Sequence, residues 1–218
     1  MKKKLIVLLS VTCMMILYVV GSYMYKSNQV KKLDFMAKEN AELFVRPHAQ
    51  TLGSDSAKVY IVEFFDPACE TCRQLYHGVK QLLKEYPGKI KLVMRYAPFH
   101  HGADAVVKIV EAGRMQGKYW ETLEVLYKYQ PQWAIHHKAN IDLIWQFLPE
   151  GFIDVDQIKK DMHAPEIAQL IAQDMADVKT LNVRKTPEFF VNGKPLPRFG
   201  FDELVTLVRA EILAQYGE

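Results

Sequence analysis

The sequence predicts an α/β protein in which a long helical block separates two parts that contain strands. Two apolar runs, Val59–Phe65 and Ile90–Tyr96, have the composition of strands buried on both faces, and helical periodicity lies between them. This order predicts a βαβ unit with a right-handed crossover. Strand character returns only at Glu188–Val191, where Asn192-Gly193 then predicts a hairpin turn. The 218 residues, half of them apolar, fit one domain with additions.

The remaining elements are predicted from the same periodicities. Leu43–Pro47 has the pattern of an edge strand, because Pro47 excludes a central one, and Thr51–Ala57 is predicted to be a loop. The helix that starts near Cys69 is expected to stop at Pro87-Gly88, and Lys194–Pro197 completes the hairpin. Four apolar faces at helical spacing fill the block between the strands, at 103–110, 119–127, 141–148 and 167–178. A last helix carries Phe201, Leu204, Val205, Val208 and Ile212.

The N-terminal segment predicts a membrane anchor. Three lysines at 2–4 precede Leu5–Tyr25, a run of 21 residues without a charge. At about 1.5 Å per residue this run spans the roughly 30 Å core of a bilayer. A cleaved signal peptide is the alternative, although its apolar region is usually shorter, and in both cases the rest of the chain is exported. We therefore divide the chain into a cytoplasmic tip with the transmembrane helix (1–27), a linker (28–42) and a folded domain (43–218).

The charge distribution argues against a nucleic-acid binder. The formal net charge is +3, but residues 1–28 carry four lysines and no acid. The remainder has 24 basic and 25 acidic residues, so the folded part lacks the positive excess that nucleic-acid binding requires.

The motif that carries chemistry is Cys69-Glu70-Thr71-Cys72, which follows a buried strand and opens a helix. Unpaired N–H groups and the helix dipole at that end stabilise an anion, which lowers the pKa of Cys69 and favours its thiolate. The thiolate is the attacking species in disulfide exchange. Cys72 lies one turn further on, close enough to displace a mixed disulfide. The spacing therefore predicts a redox pair with Cys69 as nucleophile and Cys72 as resolving cysteine.

Other uses of these cysteines have weaker support. Structural zinc needs four ligands, and c-type haem needs a histidine directly after Cys72, where Arg73 stands. A copper-handling metallochaperone that uses the same cysteines, an inert buried pair and a non-catalytic binding module at the membrane remain alternatives. The pairs His100-His101 and His136-His137 are poor chelates, since neighbours on a helix do not share a face, and they are expected to be solvated loop residues. We predict no bound metal and no cofactor.

Two stretches of the sequence resemble one protein family. Residues Val62–Cys72 resemble the active-site region of DsbA-like bacterial thioredoxin-fold proteins, and Thr186–Gly193 resembles that family's loop with a cis proline before a hairpin. The resemblance covers about residues 43–216. It implies a thioredoxin fold with an inserted helical subdomain at about 100–182. It further implies disulfide exchange with exported proteins in the periplasm and a DsbB-like or DsbD-like membrane partner that resets the cysteines. Together with the predicted anchor, this places the protein at the bacterial inner membrane.

The resemblance also assigns roles to residues outside the cysteine pair. Glu63 stands where the family has an acid proposed to move the proton of the buried cysteine, and burial there would raise its pKa. An edge carboxylate in solvent is the alternative. Pro187 is expected to be cis, which leaves the Thr186 backbone free to pair with an extended client. Glu70 and Thr71 are expected to contact the client beside the nucleophile.

The dipeptide between the cysteines departs from the family. Glu70-Thr71 replaces the Pro-His of DsbA, and the carboxylate of Glu70 disfavours a thiolate next to it. Thr186 before the proline resembles the disulfide isomerases, but residues 26–42 have no room for the dimerisation domain that those proteins carry. The sequence therefore predicts a milder oxidant than DsbA, or a reductase or isomerase.

Overall fold

The structure is a computed structural model that describes residues 14–18, 20–22, 24, 41–136, 138–149 and 151–217. The predicted anchor Leu5–Tyr25 and the predicted linker 28–42 lie mostly outside these ranges. Within the described ranges, no helix is both long and apolar enough to cross a membrane.

A five-stranded sheet forms the centre of the folded domain. The strands in chain order are β1 (Gln50–Gly53), β2 (Val59–Phe65), β3 (Ile90–Tyr96), β4 (Ala134–Ile135), β5 (Lys138–Ala139), β6 (Glu188–Val191) and β7 (Lys194–Pro195). The sheet order is β1-β3-β2-β6-β7, and β4 and β5 form a separate hairpin. Only the β2–β3 pair is parallel among the paired strands of the main sheet. Strand β2 is therefore central, with β3 and β6 as its two neighbours.

The helices surround this sheet and build the insertion. In chain order they are α1 (Ala41–Phe44), α2 (Glu70–Glu85), α3 (Ala103–Met115), α4 (Tyr119–Trp133), α5 (Ile141–Ile144), α6 (Val155–Asp161), α7 (Pro165–Thr180) and α8 (Phe201–Tyr216). Helices α3 to α7 lie between β3 and β6 in the chain, as the predicted helical insertion requires.

The predicted βαβ unit is confirmed with its strand bounds. Strands β2 and β3 are almost entirely buried, because their apolar side chains face packed layers on both sides of the sheet. Helix α2 buries one stripe at helical spacing, formed by Cys72, Tyr76, Val79 and Leu82. The carboxyl end of β3 continues beside that of β2, where the Ala97 N–H donates to the Phe65 carbonyl at 2.8 Å. Residues that follow these two strands therefore meet at one edge of the sheet.

Two predictions near the start of the domain are wrong. The stretch predicted as an edge strand, Leu43–Pro47, overlaps helix α1. The observed edge strand, β1, starts one residue before the predicted loop Thr51–Ala57 and overlaps its beginning. Phe44 is buried against Phe190, with ring centroids 4.9 Å apart, so its apolar signal comes from core packing. Strand β1 is held by backbone pairing with β3 and is half-exposed, which leaves it little apolar pattern.

The helical insertion also differs in detail from its prediction. The third predicted apolar face forms only the short helix α5. Helix α6 was not predicted. Its N-terminus is capped by the Asp154 side chain, which accepts from the Gln157 N–H at 2.9 Å. The β4–β5 hairpin was also not predicted, since strands of two residues carry no periodicity. The last strand ends at Pro195, two residues before the predicted bound.

Candidate active site

The two cysteines of the C-x-x-C motif lie where the sequence places them. Cys69 has extended backbone angles and is the N-cap residue of α2, directly after the loop that leaves β2. Cys72 is in the first turn of the same helix and is fully buried, whereas Cys69 retains 4% exposure. Both are free thiols.

The surroundings of Cys69 favour its thiolate. Hydrogen bonding from the Cys72 side chain is the largest cause that lowers the pKa of Cys69 to about 6, while burial acts in the opposite direction. Backbone N–H groups of Thr71 and Cys72 at the helix start add to the lowering. Hydrogen bonding with the Thr186 side chain also lowers this pKa, whereas the backbone carbonyl oxygen of Thr186, 3.3 Å from the Cys69 Sγ, accepts only from the protonated thiol. Near neutral pH, Cys69 is therefore largely ionised.

The surroundings of Cys72 act in the other direction. Burial is the largest cause that raises the pKa of Cys72 well above its ordinary value, and the hydrogen bond with Cys69 adds to it. The Asp66 N–H, which donates to the Cys72 Sγ at 3.5 Å, acts against this rise. The pair thus holds one thiolate and one thiol near neutral pH.

The loop opposite the cysteines has the predicted cis bond. The Thr186–Pro187 peptide is cis, which confirms the prediction. The loop leads directly into β6, which pairs with β2 antiparallel, so Thr186 lies beside the start of α2.

The carboxyl of Glu63 is buried in the central strand. Its neighbours across the sheet, Met94 on β3 and Phe189 on β6, are both apolar. Glu63 has 0% exposure, and neither carboxyl oxygen has a hydrogen-bond partner among the described residues. Burial, with a smaller contribution from the charge of Cys69, raises the pKa of Glu63 to about 8. The alternative of an edge carboxylate in solvent is wrong.

The two residues between the cysteines lie at the surface. Glu70 is exposed and Thr71 is half-buried, in the first turn of α2. They directly follow Cys69 in the chain.

A buried carboxylate that the sequence analysis missed organises the loop between β2 and α2. Asp66 is fully buried, and its Oδ2 lies 2.8 Å from the His100 N–H and 2.7 Å from the His100 Nδ1. Its Oδ1 accepts from the Ala68 N–H at 2.7 Å. His100 lies in a loop as expected, but its side chain is only 25% exposed and contacts Asp66, whereas His101 beside it is exposed.

A second missed residue joins the insertion to this loop. Gln130 of α4 is fully buried, and its Nε2 donates to the carbonyls of Pro67 and Cys69 at 2.8 and 3.0 Å. Its Oε1 accepts from the Arg73 Nε at 2.9 Å. Every polar atom of the Gln130 amide side chain thus has a partner in or next to the active-site loop.

The described residues bring together no group of three histidine, cysteine, aspartate or glutamate side chains placed to hold a metal ion.

Comparisons with known sequences identify relatives along almost the whole chain. A family model described as Thioredoxin matches residues 46–210. The probable disulfide bond formation protein D of Bacillus anthracis is 31% identical over 221 residues, a match that covers 96% of this chain and 97% of that protein. The protein of the same name from Bacillus cereus is 30% identical over 219 residues, with the same coverage.

Solved structures agree with this assignment. A thioredoxin-like oxidoreductase from Silicibacter pomeroyi is similar with a TM-score of 0.66 and 32% identity, over 78% of this chain and 94% of that one. BdbD from Bacillus subtilis, at 22% identity, has a TM-score of 0.66 over 75% of this chain and 92% of its own. The thiol-disulfide exchange protein alpha-DsbA2 from Wolbachia pipientis, at 20% identity, has a TM-score of 0.69 over 84% and 97%. The last two share the fold.

Proposed function

We propose a mechanism and a redox character for this site from one premise: the chain belongs to the thioredoxin family and is a DsbA-like protein thiol:disulfide oxidoreductase. In our proposal it exchanges disulfides with exported proteins, as a milder oxidant than DsbA or as a reductase or isomerase. The observation that carries the proposal is the position of the Cys69 thiol at a helix start, where its pKa is lowered to about 6. Its Sγ lies 3.3 Å from the backbone carbonyl oxygen of Thr186, in the loop before Pro187.

The proposed reaction conserves electrons between client and enzyme. In the oxidising direction a client thiolate attacks the Cys69 Sγ, the bond between Cys69 and Cys72 breaks, and Cys72 leaves as a thiolate that takes up a proton. A second client thiolate then attacks the client sulfur of the mixed disulfide and releases the Cys69 thiolate. The client loses two electrons and the cysteine pair gains them. In the reducing direction the same steps run backwards, with Cys69 as nucleophile and Cys72 as resolving cysteine.

Residues around the cysteines receive supporting roles in this proposal. The backbone of Thr186, which lies next to the Cys69 Sγ and directly before Pro187, pairs with an extended client segment. Glu70 and Thr71 contact the client from the helix start. Glu63, whose pKa of about 8 suits proton transfer near neutral pH, exchanges a proton with Cys72.

The redox potential of the pair tests whether it is less oxidising than DsbA. The pKa of Cys69, at about 6, is higher than the roughly 3.5 of DsbA, so the reduced form is less stabilised. We therefore expect a potential more reducing than the roughly −120 mV of DsbA, measured by equilibration with glutathione buffers. A value at or above that of DsbA would contradict the proposed mild character.

A substitution of Glu70, between the two cysteines, tests whether its side chain lowers the redox potential. Glu70→His removes a carboxylate beside the thiolate and adds a group that can be cationic, so we expect the potential to rise by about 30 mV or more. Glu85→His makes the same change at the far end of α2, and there we expect a shift below about 10 mV. Equal shifts in the two variants would show that the local charge of Glu70 does not set the potential.

The proposed cellular setting is the outer face of the bacterial inner membrane. Residues 1–27 anchor the chain, 28–42 link it to the surface, and 43–218 form the catalytic domain with an insertion at about 100–182. The 96% coverage by the disulfide bond formation proteins includes most of the N-terminal segment, so these relatives contain a counterpart of it. A DsbB-like or DsbD-like membrane protein resets the cysteines, and the direction of electron flow decides which type fits.

Fractionation of the native protein tests the anchor. We expect the full chain to sediment with membranes and to begin near Met1, and a maleimide that does not cross membranes should label Cys69 in intact spheroplasts. A chain that lacks residues 1–27 but keeps another export signal serves as the control and should be soluble. A soluble native protein whose N-terminal sequence starts at Ser22 or later would instead indicate a cleaved signal.

A further inference from the structure

The carboxylate of Asp66 is held by a segment from the neighbouring strand. Asp66 directly follows β2, and His100 lies four residues beyond the end of β3. Both the backbone N–H and the ring Nδ1 of His100 are within 2.8 Å of the same oxygen, Asp66 Oδ2. Because a carboxylate only accepts, the ring Nδ1 carries the proton that it shares with Asp66. A fully buried carboxylate with such donors is fixed in its rotamer.

The backbone N–H and carbonyl of Asp66 form hydrogen bonds with the two cysteines. The peptide between Phe65 and Asp66 is held at both ends: its carbonyl accepts from the Ala97 N–H at 2.8 Å, and its N–H donates to the Cys72 Sγ at 3.5 Å. The Asp66 carbonyl accepts from the Cys69 N–H at 3.0 Å. Asp66 is therefore in contact with both cysteines through its main chain, while its side chain is fixed from the β3 side.

We infer that His100 is a positioning residue that acts through Asp66 on the resolving sulfur of Cys72. Its ring fixes the Asp66 side chain and with it the backbone N–H that donates to the Cys72 Sγ. The inference rests on the proposed function, since it assigns a role within the exchange at Cys69 and Cys72. It concerns one step only, the entry or departure of the Cys72 sulfur.

The consequence for the reaction follows from the charge on Cys72. In the resolving step the Cys72 thiolate attacks the Cys69 Sγ, the bond between Cys69 and the client sulfur breaks, and the client leaves as a thiolate. The buried Cys72 sulfur must carry a negative charge at the start of this step, and a donated N–H stabilises that charge. Misplacing the Asp66 N–H therefore slows resolution but leaves the first attack by Cys69 nearly unchanged.

The adjacent histidine provides a matched control. His101 is exposed, and its backbone carbonyl accepts from the Ala139 N–H at 2.9 Å in the β5 strand. A variant at His101 thus perturbs the same loop without removing a donor to Asp66. His100→Asn provides the second control, because an amide N–H can replace the ring Nδ1 as donor.

The experiment follows one turnover of the reduced full-length protein with oxidised glutathione, quenched with acid and read by mass spectrometry. In the first step the Cys69 thiolate attacks the glutathione disulfide and one glutathione thiolate leaves. In the second, Cys72 closes the disulfide and releases the other glutathione. Cys72→Ala gives the reference in which only the mixed disulfide forms. For His100→Leu we expect the second step to slow about three- to tenfold and the first to change less than about twofold.

The outcomes separate this inference from the proposed function. His100→Asn and His101→Leu should resolve at the rate of the unmodified protein. The inference is wrong if His100→Leu resolves normally, if His100→Asn is as slow as His100→Leu, or if His101→Leu is equally slow. If His100→Leu does not fold, His100→Ala, which also removes the ring donor, takes its place, and a normal second step in that variant overturns the inference. Failure of the unmodified protein to form any disulfide would overturn the proposed function instead.

Discussion

Replacing Cys69 with Ser is expected to abolish disulfide exchange with client proteins. The Cys69 Sγ is the attacking atom, the attacked atom or the leaving group in every proposed step, and a serine hydroxyl at this position neither ionises near neutral pH nor forms a disulfide. We expect activity to fall to the uncatalysed background in an assay that follows oxidation of a reduced client or glutathione exchange. The N-cap position of α2 can accommodate serine, so the variant should fold.

Cys72→Ala should have a different phenotype, because the Cys69 thiolate can still attack a client disulfide but the resulting mixed disulfide is not resolved. The variant is expected to accumulate mixed disulfides between Cys69 and its clients, visible on non-reducing gels and lost on reduction. Cys13→Ser is the control: this third cysteine lies in the predicted anchor, and its replacement should change neither activity nor trapping.

Trapping would also identify the clients and the membrane partner. The copper-handling alternative makes two different predictions. Cys72→Ala would capture no protein, and the unmodified protein would bind stoichiometric copper that the double variant Cys69→Ser with Cys72→Ala does not bind. Both results together would replace the proposed exchange with copper handling. Retained exchange activity in Cys69→Ser would contradict the assignment of the nucleophile.

The sequence allowed the centre of the fold to be predicted because its signals are local. Strands β2 and β3 have the predicted bounds, since each is a nearly continuous apolar run followed within two residues by a proline. The Asn192-Gly193 turn connects β6 and β7 as predicted, and both residues have positive φ.

The elements that escaped prediction are held by partners rather than by their own pattern. Strand β1 is half-exposed and paired only through its backbone, and the two-residue strands of the β4–β5 hairpin are too short to show a period. Helix α1 resembled a strand because Phe44 contributes to the core from a single turn. In these places tertiary contacts decide the local structure.

The residues of the site also divide into those with a local sequence signal and those held by distant partners. Cys69, Cys72 and Pro187 were found through motifs, whereas the contact between Asp66 and His100 joins residues 34 positions apart. Gln130 reaches the loop across more than 60 positions, and no short motif contains both ends. One signal was present: Gln130 continues the buried stripe of α4 formed by Leu123, Leu126 and Tyr127, and a polar residue in such a stripe needs buried partners.

Replacing Glu63 with Gln is expected to stabilise the protein at alkaline pH. The buried carboxyl of Glu63 has a pKa of about 8 in the folded chain, against an ordinary value of 4.5. Between these values the native carboxyl keeps its proton while the unfolded chain releases it, so unfolding becomes easier as pH rises. The contribution of Glu63 to the stability of the unmodified protein is fully present below about pH 4.5 and is lost as pH rises through about 8. A glutamine side chain cannot ionise, so the variant lacks this loss.

The measurement is the free energy of unfolding of both proteins by urea at pH 4.5 and at pH 9. We expect Glu63→Gln to differ little at the acid value and to be more stable by about 3–5 kcal/mol at the alkaline value. Both proteins are measured with the disulfide between Cys69 and Cys72 formed, so that these thiols do not titrate, because the charge of Cys69 contributes to the pKa of Glu63. Glu70→Gln removes an exposed carboxylate and should show no such dependence. If the gain of Glu63→Gln is the same at both pH values, the carboxyl is not protonated in the folded chain, and its proposed exchange of a proton with Cys72 is wrong.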